Sequence, residues 1–194
     1  MMDNAVGHSI DCAGTADFIR DFGIDLARML ENVFGEEARG SDDVPDPSLV
    51  GPQPRADLVT PMLVGFVAYL FSWTAKTFLD EVYQLKLQPR VREWLVAADE
   101  RVLGTWRKRK KTFTVSAWYE DLGVIVTVAL QASSFSRIAE ESERILALHR
   151  FGLDWAVDHP EAAPVQMYVV SNGVVDVEPR LFRTTQEAHD SFNT

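Results

Sequence analysis

An uncharged run of 18 residues, 58–75, constrains this chain more than any other feature. Its sequence, LVTPMLVGFVAYLFSWTA, contains no Asp, Glu, Lys or Arg. As a helix it would be about 27 Å long, slightly short of the roughly 30 Å hydrocarbon core of a bilayer. We expect a helix with three possible environments: a membrane span, a buried or partner-facing position, or a membrane surface. Small and polar residues favour the second: Thr60, Pro61, Gly65, Ser72 and Thr74.

Charge is divided unevenly along the chain. The 194 residues carry a formal charge of −10, to which residues 1–57 contribute −8, residues 58–111 contribute +5, and residues 112–194 contribute −7. The basic middle ends in five consecutive cations: Arg107, Lys108, Arg109, Lys110 and Lys111. Such a cluster favours an acidic partner, and three remain open: anionic lipid, nucleic acid and the chain's own acidic ends. The net negative charge argues against nucleic acid as a partner.

The part of the chain before the uncharged run predicts an appendage. Apolar residues recur three and four positions apart over 15–34, which predicts an amphipathic helix: Phe18, Phe22, Leu26, Met29, Leu30 and Val33. Residues 40–57 hold four of the nine prolines and predict a linker. We therefore divide the chain into four parts, namely an acidic N-terminal helical appendage (1–39), a Pro-rich linker (40–57), an apolar and basic helical segment (58–111), and an α+β domain (112–194).

A second amphipathic helix is predicted to begin near Pro89, a residue that suits the first turn of a helix. Its apolar stripe has helical spacing and includes two tryptophans: Val91, Trp94, Leu95, Ala98, Val102, Leu103 and Trp106. This helix immediately precedes the five cations, a combination typical of a lipid-binding or protein-binding surface.

The C-terminal part predicts the order β-β-α-β-β-α. Residues 112–119 and 124–131 are rich in β-branched and aromatic residues and predict a hairpin. A helix is expected over 135–157, with an inward side formed by Ile138, Ile145, Leu148, Phe151 and Trp155. A second hairpin, 165–171 and 174–182, is joined by Asn172-Gly173, a strong turn signal. Thr184 and Glu187 form a capping box that opens a short terminal helix.

The simplest arrangement of these elements is a four-stranded antiparallel sheet with a helix on one face, preceded by the N-terminal helices. The fold class is therefore α+β. The order of hairpin, helix and hairpin in an acidic chain resembles secretion-chaperone-like folds, and this resemblance implies a fold without indicating a function.

No sequence motif indicates an enzyme. There is no phosphate-binding loop, no dinucleotide fingerprint and no HExxH. Cys12 is the only cysteine, which excludes an intrachain disulfide and a cysteine metal cluster, and fits a cytoplasmic location. We assign no catalytic residue, no metal ligand and no cofactor.

The leading hypothesis is a non-enzymatic interaction or adaptor protein, cytoplasmic and with or without membrane association. It would bind a partner protein, a second copy of itself or an anionic membrane surface through an apolar helix and the basic cluster. The residues assigned to this role are Trp73, Trp94, Trp106, Arg107, Lys108, Arg109, Lys110 and Lys111.

The alternative hypothesis is a small soluble enzyme or ligand-binding domain with a pocket between the sheet and the helices. Its candidate residues are Trp118, Tyr119, His149 and Asp154. A third hypothesis makes the helix at 15–34 a regulatory lid over the apolar middle of the chain.

Overall fold

A mixed β-sheet forms the centre of the structure. The structure is a computed structural model that describes residues 6–13, 62–70, 84, 88–101, 110–119 and 122–192. In chain order its elements are β1 (Val6–Ala13), β2 (Met62–Leu70), α1 (Gln88–Arg101), β3 (Lys111–Tyr119), β4 (Val124–Ala132), α2 (Phe135–Glu141), α3 (Arg144–Asp158), β5 (Val165–Ser171), β6 (Val174–Val175), β7 (Arg180–Phe182) and α4 (Thr185–Asp190).

The strands follow the order β1-β2-β3-β4-β5-β6, and β7 also pairs with β5. The pairs β1–β2, β3–β4, β5–β6 and β5–β7 are antiparallel. The pairs β2–β3 and β4–β5 are parallel. The α+β class is therefore confirmed, but the prediction that all strands are antiparallel is wrong.

The parallel pair β4–β5 follows from the helices between its strands. The chain leaves the carboxyl end of β4 at Ala132 and passes through α2 and α3 before β5 begins at Val165. A helical crossover returns the chain to the end where the previous strand began, so the next strand runs parallel to it. The first predicted hairpin is present as β3–β4. In the second, the strand predicted over 174–182 is divided into β6 and β7, which pair separately with β5. The helices between the two hairpins set their relative direction.

The helix predicted over the uncharged run is wrong for residues 62–70. These residues form β2, which pairs with β1 on one side and β3 on the other. Strands of parallel sheets often have continuous apolar sequences. A sequence of this kind fits a strand and a buried helix equally well. The remainder of 58–75 lies outside the described residues.

The four-part division of the chain remains a prediction, although part of the first segment is a strand. Residues 6–13 fall in the predicted helical appendage and form β1 of the sheet. The predicted helix at 15–34 and the linker at 40–57 lie outside the described residues.

The main hydrophobic core lies between one face of the sheet and helices α1, α2 and α3. Helix α1 contributes Val91, Leu95 and Ala98, each with no exposed surface, which confirms the predicted apolar stripe for these residues. Alternate residues of β3 and β4 point to this face: Phe113, Val115, Ala117, Tyr119, Val124, Val126, Val128 and Leu130.

A smaller core lies on the opposite face of the sheet. It contains Ile125 and Ala129 of β4, the apolar residues of β5 that alternate with those of the main core, and Ala188 of α4. Trp118 and Phe182 pack against it and are partly buried. Both faces of β4 and β5 are thus apolar, which explains their long β-branched runs.

The turn and the helix cap predicted in the C-terminal part are confirmed, whereas the predicted helix is divided in two. Asn172 and Gly173 have φ values of 51° and 81°, as an Asn-Gly hairpin turn requires. The Glu187 amide donates to Thr184 Oγ1 at 3.1 Å, and Glu187 Oε2 accepts from the Arg183 amide at 2.9 Å. The helix predicted over 135–157 is divided at residues 142–143 into α2 and α3.

Candidate functional site

Trp94, assigned above to an interaction surface, packs against the core. Its ring centroid lies 6.4 Å from that of Phe113 and 6.5 Å from that of Phe135. The side chain is half-buried and joins helix α1 to β3 and α2. Its amphipathic helix therefore turns this tryptophan toward the sheet.

The basic cluster is described only at its last two residues. Lys110 is exposed, whereas Lys111 is only 1% exposed. Lys111 Nζ donates to the Ser133 carbonyl at 2.9 Å. Burial lowers the pKa of Lys111, and the nearby Asp99 carboxylate opposes that shift. Lys111 thus ties the start of β3 to the end of β4, on the inside of the molecule.

The other predicted interaction residues, Trp73, Trp106, Arg107, Lys108 and Arg109, lie outside the described residues. No helix in the described part of the chain is long and apolar enough to cross a membrane.

The residues of the alternative hypothesis do not converge on one pocket. Trp118 and Tyr119 are neighbours on β3, so their side chains point to opposite faces of the sheet. Asp154 is exposed on α3, whereas His149 of the same helix is 2% exposed and faces the sheet. Only Tyr119 and His149 share the layer between the sheet and the helices.

That layer contains buried polar atoms without a hydrogen-bond partner. They are Nδ1 and Nε2 of His149, Oε1 of Gln166 and the hydroxyl of Tyr168. Burial lowers the pKa of His149 to about 4, opposed by the backbone of Val115, and raises the pKa of Tyr168 to about 12. Both groups are therefore neutral near pH 7. Gln166 and Tyr168 alternate along β5, a signal that sequence reasoning missed.

Helix α3 lies very close to the sheet beside this layer. A Cβ atom on Gly152 would meet Val126 Cγ1 at 2.7 Å and Tyr168 Cε2 at 2.9 Å. Phe151 packs edge-on against Tyr168, with ring centroids 5.8 Å apart. Glycine at this position lets the helix approach the sheet over Tyr168, and Phe151 closes the outer side of that contact.

A polar cleft lies at the carboxyl ends of β4 and β5. It has a volume of about 200 Å³, and its charged lining residues are Arg137, Glu140 and Glu141. Glu141 is already paired with Arg144 at 2.8 Å. The cleft is smaller than the roughly 300–1,000 Å³ typical of ligand pockets.

Large apolar side chains are exposed on α3 and on the outer strand β7, on the same face of the sheet. Phe151 is 45% exposed and Leu181 is 46% exposed, and Trp155 is partly exposed one helical turn after Phe151. Leu181 lies opposite Gln166 in the β5–β7 register, so it shares the sheet face that α3 covers. We call Phe151, Trp155 and Leu181 the α3–β7 surface.

The aromatic part of the α3–β7 surface is held in place. The Trp155 ring stacks on that of His159 with centroids 4.1 Å apart and an interplanar angle of 9°. His159 Nδ1 lies 2.9 Å from the Trp155 carbonyl and donates to it. The apolar spacing shared with Ile145 and Leu148 predicts that Phe151 and Trp155 lie on the inward side of the helix. This prediction is wrong for Phe151, which is exposed, whereas Trp155 is partly buried.

Comparison with known proteins assigns the chain to no family: no family model, no curated protein and no solved structure matches it. Within the residues that the structure describes, no three His, Cys, Asp or Glu side chains form a metal site. Any proposal of function therefore depends on the chain's own surfaces and buried groups.

Proposed function

We propose that this chain is a non-enzymatic interaction protein that binds a partner protein through the α3–β7 surface. The observation that supports the proposal is the exposure of Phe151, Trp155 and Leu181 on the same face of the sheet. Single exposed apolar residues are normal, but contiguous apolar areas rimmed by polar residues are typical of protein-binding sites. Aromatic residues are also enriched at such sites.

The distribution of exposed apolar residues supports the same region. Seven large apolar residues are exposed in the described part of the chain, and five of them lie between residues 151 and 181: Phe151, Val157, Val174, Val177 and Leu181. The other two, Val96 and Leu122, are isolated in sequence and serve as comparison positions.

The proposal keeps the partner protein of the leading hypothesis and changes the surface. Trp94 is partly buried against the core and Lys111 is buried, so we base the proposal on the more exposed Phe151 and Leu181. We base the proposal on a partner protein and not on a membrane surface, because residues 62–70 of the uncharged run form β2 and not a helix. A cytoplasmic location stays part of the proposal, since Cys12 is the only cysteine.

Site-specific photocrosslinking tests this proposal. A benzophenone amino acid replaces Phe151 or Leu181 in the full chain, expressed in cells of the source organism. We expect a discrete covalent adduct from both positions. The matched control replaces Val96 on α1, which is 43% exposed, and should give none. Equal crosslinking from all three positions, or none from Phe151 and Leu181, contradicts the proposal.

A second candidate function is a ligand-binding domain, and the buried polar atoms of His149, Gln166 and Tyr168 favour it. Buried polar groups in proteins nearly always have partners, so four such atoms in one layer could serve a small neutral ligand. Screening a fragment library by thermal shift tests this candidate. A true ligand raises Tm in the wild type but not in Tyr168→Phe, whereas equal shifts in both proteins reject the site.

A further inference from the structure

The charges around the α3–β7 surface are mainly negative. Residues 150–183 contain five carboxylates and three arginines. One of those arginines, Arg180, is paired with Asp176 at 3.0 Å. Asp154 and Asp158 are exposed on α3, one helical turn apart, and adjoin Phe151 and Trp155 at helical spacings of three.

The end of helix α3 adds to this negative potential. The helix has 15 residues, ends at Asp158 and carries no basic residue in its last turn. The carboxyl end of a helix dipole behaves as about half a negative charge. Here that end lies beside Trp155 without a cation to offset it. Glu178, exposed in the connection to β7, adds a carboxylate near Leu181.

We infer that the segment that docks on the α3–β7 surface is basic and amphipathic, with apolar side chains that contact Phe151, Trp155 and Leu181 and with Lys or Arg at their flanks. This inference rests on the proposed function, because it uses the same surface. An apolar centre with an acidic rim gains affinity from apolar contact and selects its partner through charge. An acidic segment with the same apolar face would meet the carboxylates of Asp154, Asp158 and Glu178.

The test uses the purified full chain and two labelled model peptides. Both peptides have the same Leu and Trp face, and their remaining positions are Lys in one and Glu in the other. Fluorescence anisotropy should show that the Lys peptide binds at least tenfold more tightly than the Glu peptide. The preference should fall as salt is raised, because exposed charges are screened.

Two sets of variants assign the preference to this surface. Asp154→Asn with Asp158→Asn should weaken the Lys peptide by roughly two- to tenfold, in line with exposed charge pairs. The matched control, Glu93→Gln with Glu100→Gln, removes the same charge from exposed positions on α1 and should leave binding unchanged. Leu181→Ser should weaken both peptides, and circular dichroism verifies that each variant is folded.

The outcomes separate the two proposals. Equal or tighter binding of the Glu peptide, weakened by Leu181→Ser, overturns the basic partner and leaves the interaction function standing. If neither Leu181→Ser nor the Asp154→Asn, Asp158→Asn variant changes binding of the Lys peptide, the inference is overturned. The peptide then binds at a different surface of the protein. Absence of binding by either peptide also overturns it, while the photocrosslinking result decides the proposed function independently.

Discussion

His149 makes the stability of this protein depend on acid pH. Its ring is 2% exposed, both nitrogens lack a hydrogen-bond partner, and burial lowers its pKa from 6.5 to about 4. The unfolded chain binds a proton on this ring below pH 6.5, whereas the folded chain does not until about pH 4. As far as His149 is concerned, the free energy of unfolding is therefore highest above pH 6.5. It falls by up to about 3 kcal/mol as the pH drops toward 4.

Urea denaturation of wild type and His149→Met between pH 7.5 and pH 4 measures this effect. We expect the variant to lose that part of the pH dependence, and to be at least as stable as wild type at pH 7.5 because an unpartnered polar ring is removed. Tyr168→Phe is the matched control from the same layer, since a pKa of about 12 leaves Tyr168 neutral throughout this range. A His149→Met variant with the wild-type pH dependence would contradict the assignment.

Individual polar residues were the least predictable from sequence. Lys111 follows four other cations, yet it is buried because it is also the first residue of β3. Asp99 gave no sequence signal. Its carboxylate accepts from the Phe135 amide at 3.0 Å and the Ser136 hydroxyl at 2.9 Å, which anchors the start of α2 to α1. Such contacts join residues far apart in sequence, so no local pattern reveals them.

At the scale of secondary structure elements, Gly152 sets how closely helix α3 approaches the sheet. Alanine is a better helix former than glycine by about 1 kcal/mol. Nevertheless we expect Gly152→Ala to lower the free energy of unfolding by roughly 1–3 kcal/mol, because its Cβ would meet Val126 Cγ1 at 2.7 Å and Tyr168 Cε2 at 2.9 Å.

A double-mutant cycle in urea denaturation distinguishes this packing effect from a general effect of the substitution. Val126→Ala removes the methyl group that the new Cβ would contact, so Gly152→Ala should cost less in that background. Identical costs in both backgrounds would show that the contact with Val126 does not limit the helix position. A Gly152→Ala variant more stable than wild type would show that helix propensity outweighs packing.

Elements were predictable where the local signal was specific. The Asn172-Gly173 turn and the Thr184–Glu187 cap were confirmed because each depends on a few adjacent residues. The uncharged run was misassigned at 62–70 because a continuous apolar run has no periodicity that distinguishes a strand from a buried helix.

At the scale of the whole molecule, strand order is the feature that sequence reasoning could not supply. The second strand pairs in parallel with β3, and 40 residues separate the two strands along the chain. Nothing local to Met62–Leu70 specifies that neighbour. The sheet therefore crosses the predicted boundary between the segment 58–111 and the domain 112–194.

This topology predicts that residues 112–194 do not fold independently, although they were assigned as a domain. The fragment removes β2 and so exposes the edge of β3, which pairs from Lys111 to Tyr119 in the full chain. It also removes Val91, Leu95 and Ala98, which are completely buried. At about 1.5–3 kcal/mol for each of the two larger side chains, Val91 and Leu95, that loss is about 3–6 kcal/mol, which is comparable with the lower end of the 5–15 kcal/mol that stabilises a typical protein.

Size-exclusion chromatography and amide NMR spectra of the full chain and of the fragments 112–194 and 88–194 test whether residues 112–194 fold independently. We expect the full chain to give a well-dispersed amide spectrum. The fragment 112–194 should aggregate or give a spectrum with narrow chemical-shift dispersion. A fragment of residues 88–194 restores α1 without β2, and its behaviour separates loss of the core from loss of the strand neighbour. A monomeric 112–194 fragment with a dispersed spectrum would instead establish the α+β part as a true domain. In that event β1 and β2 would be additions to a sheet that is already stable without them.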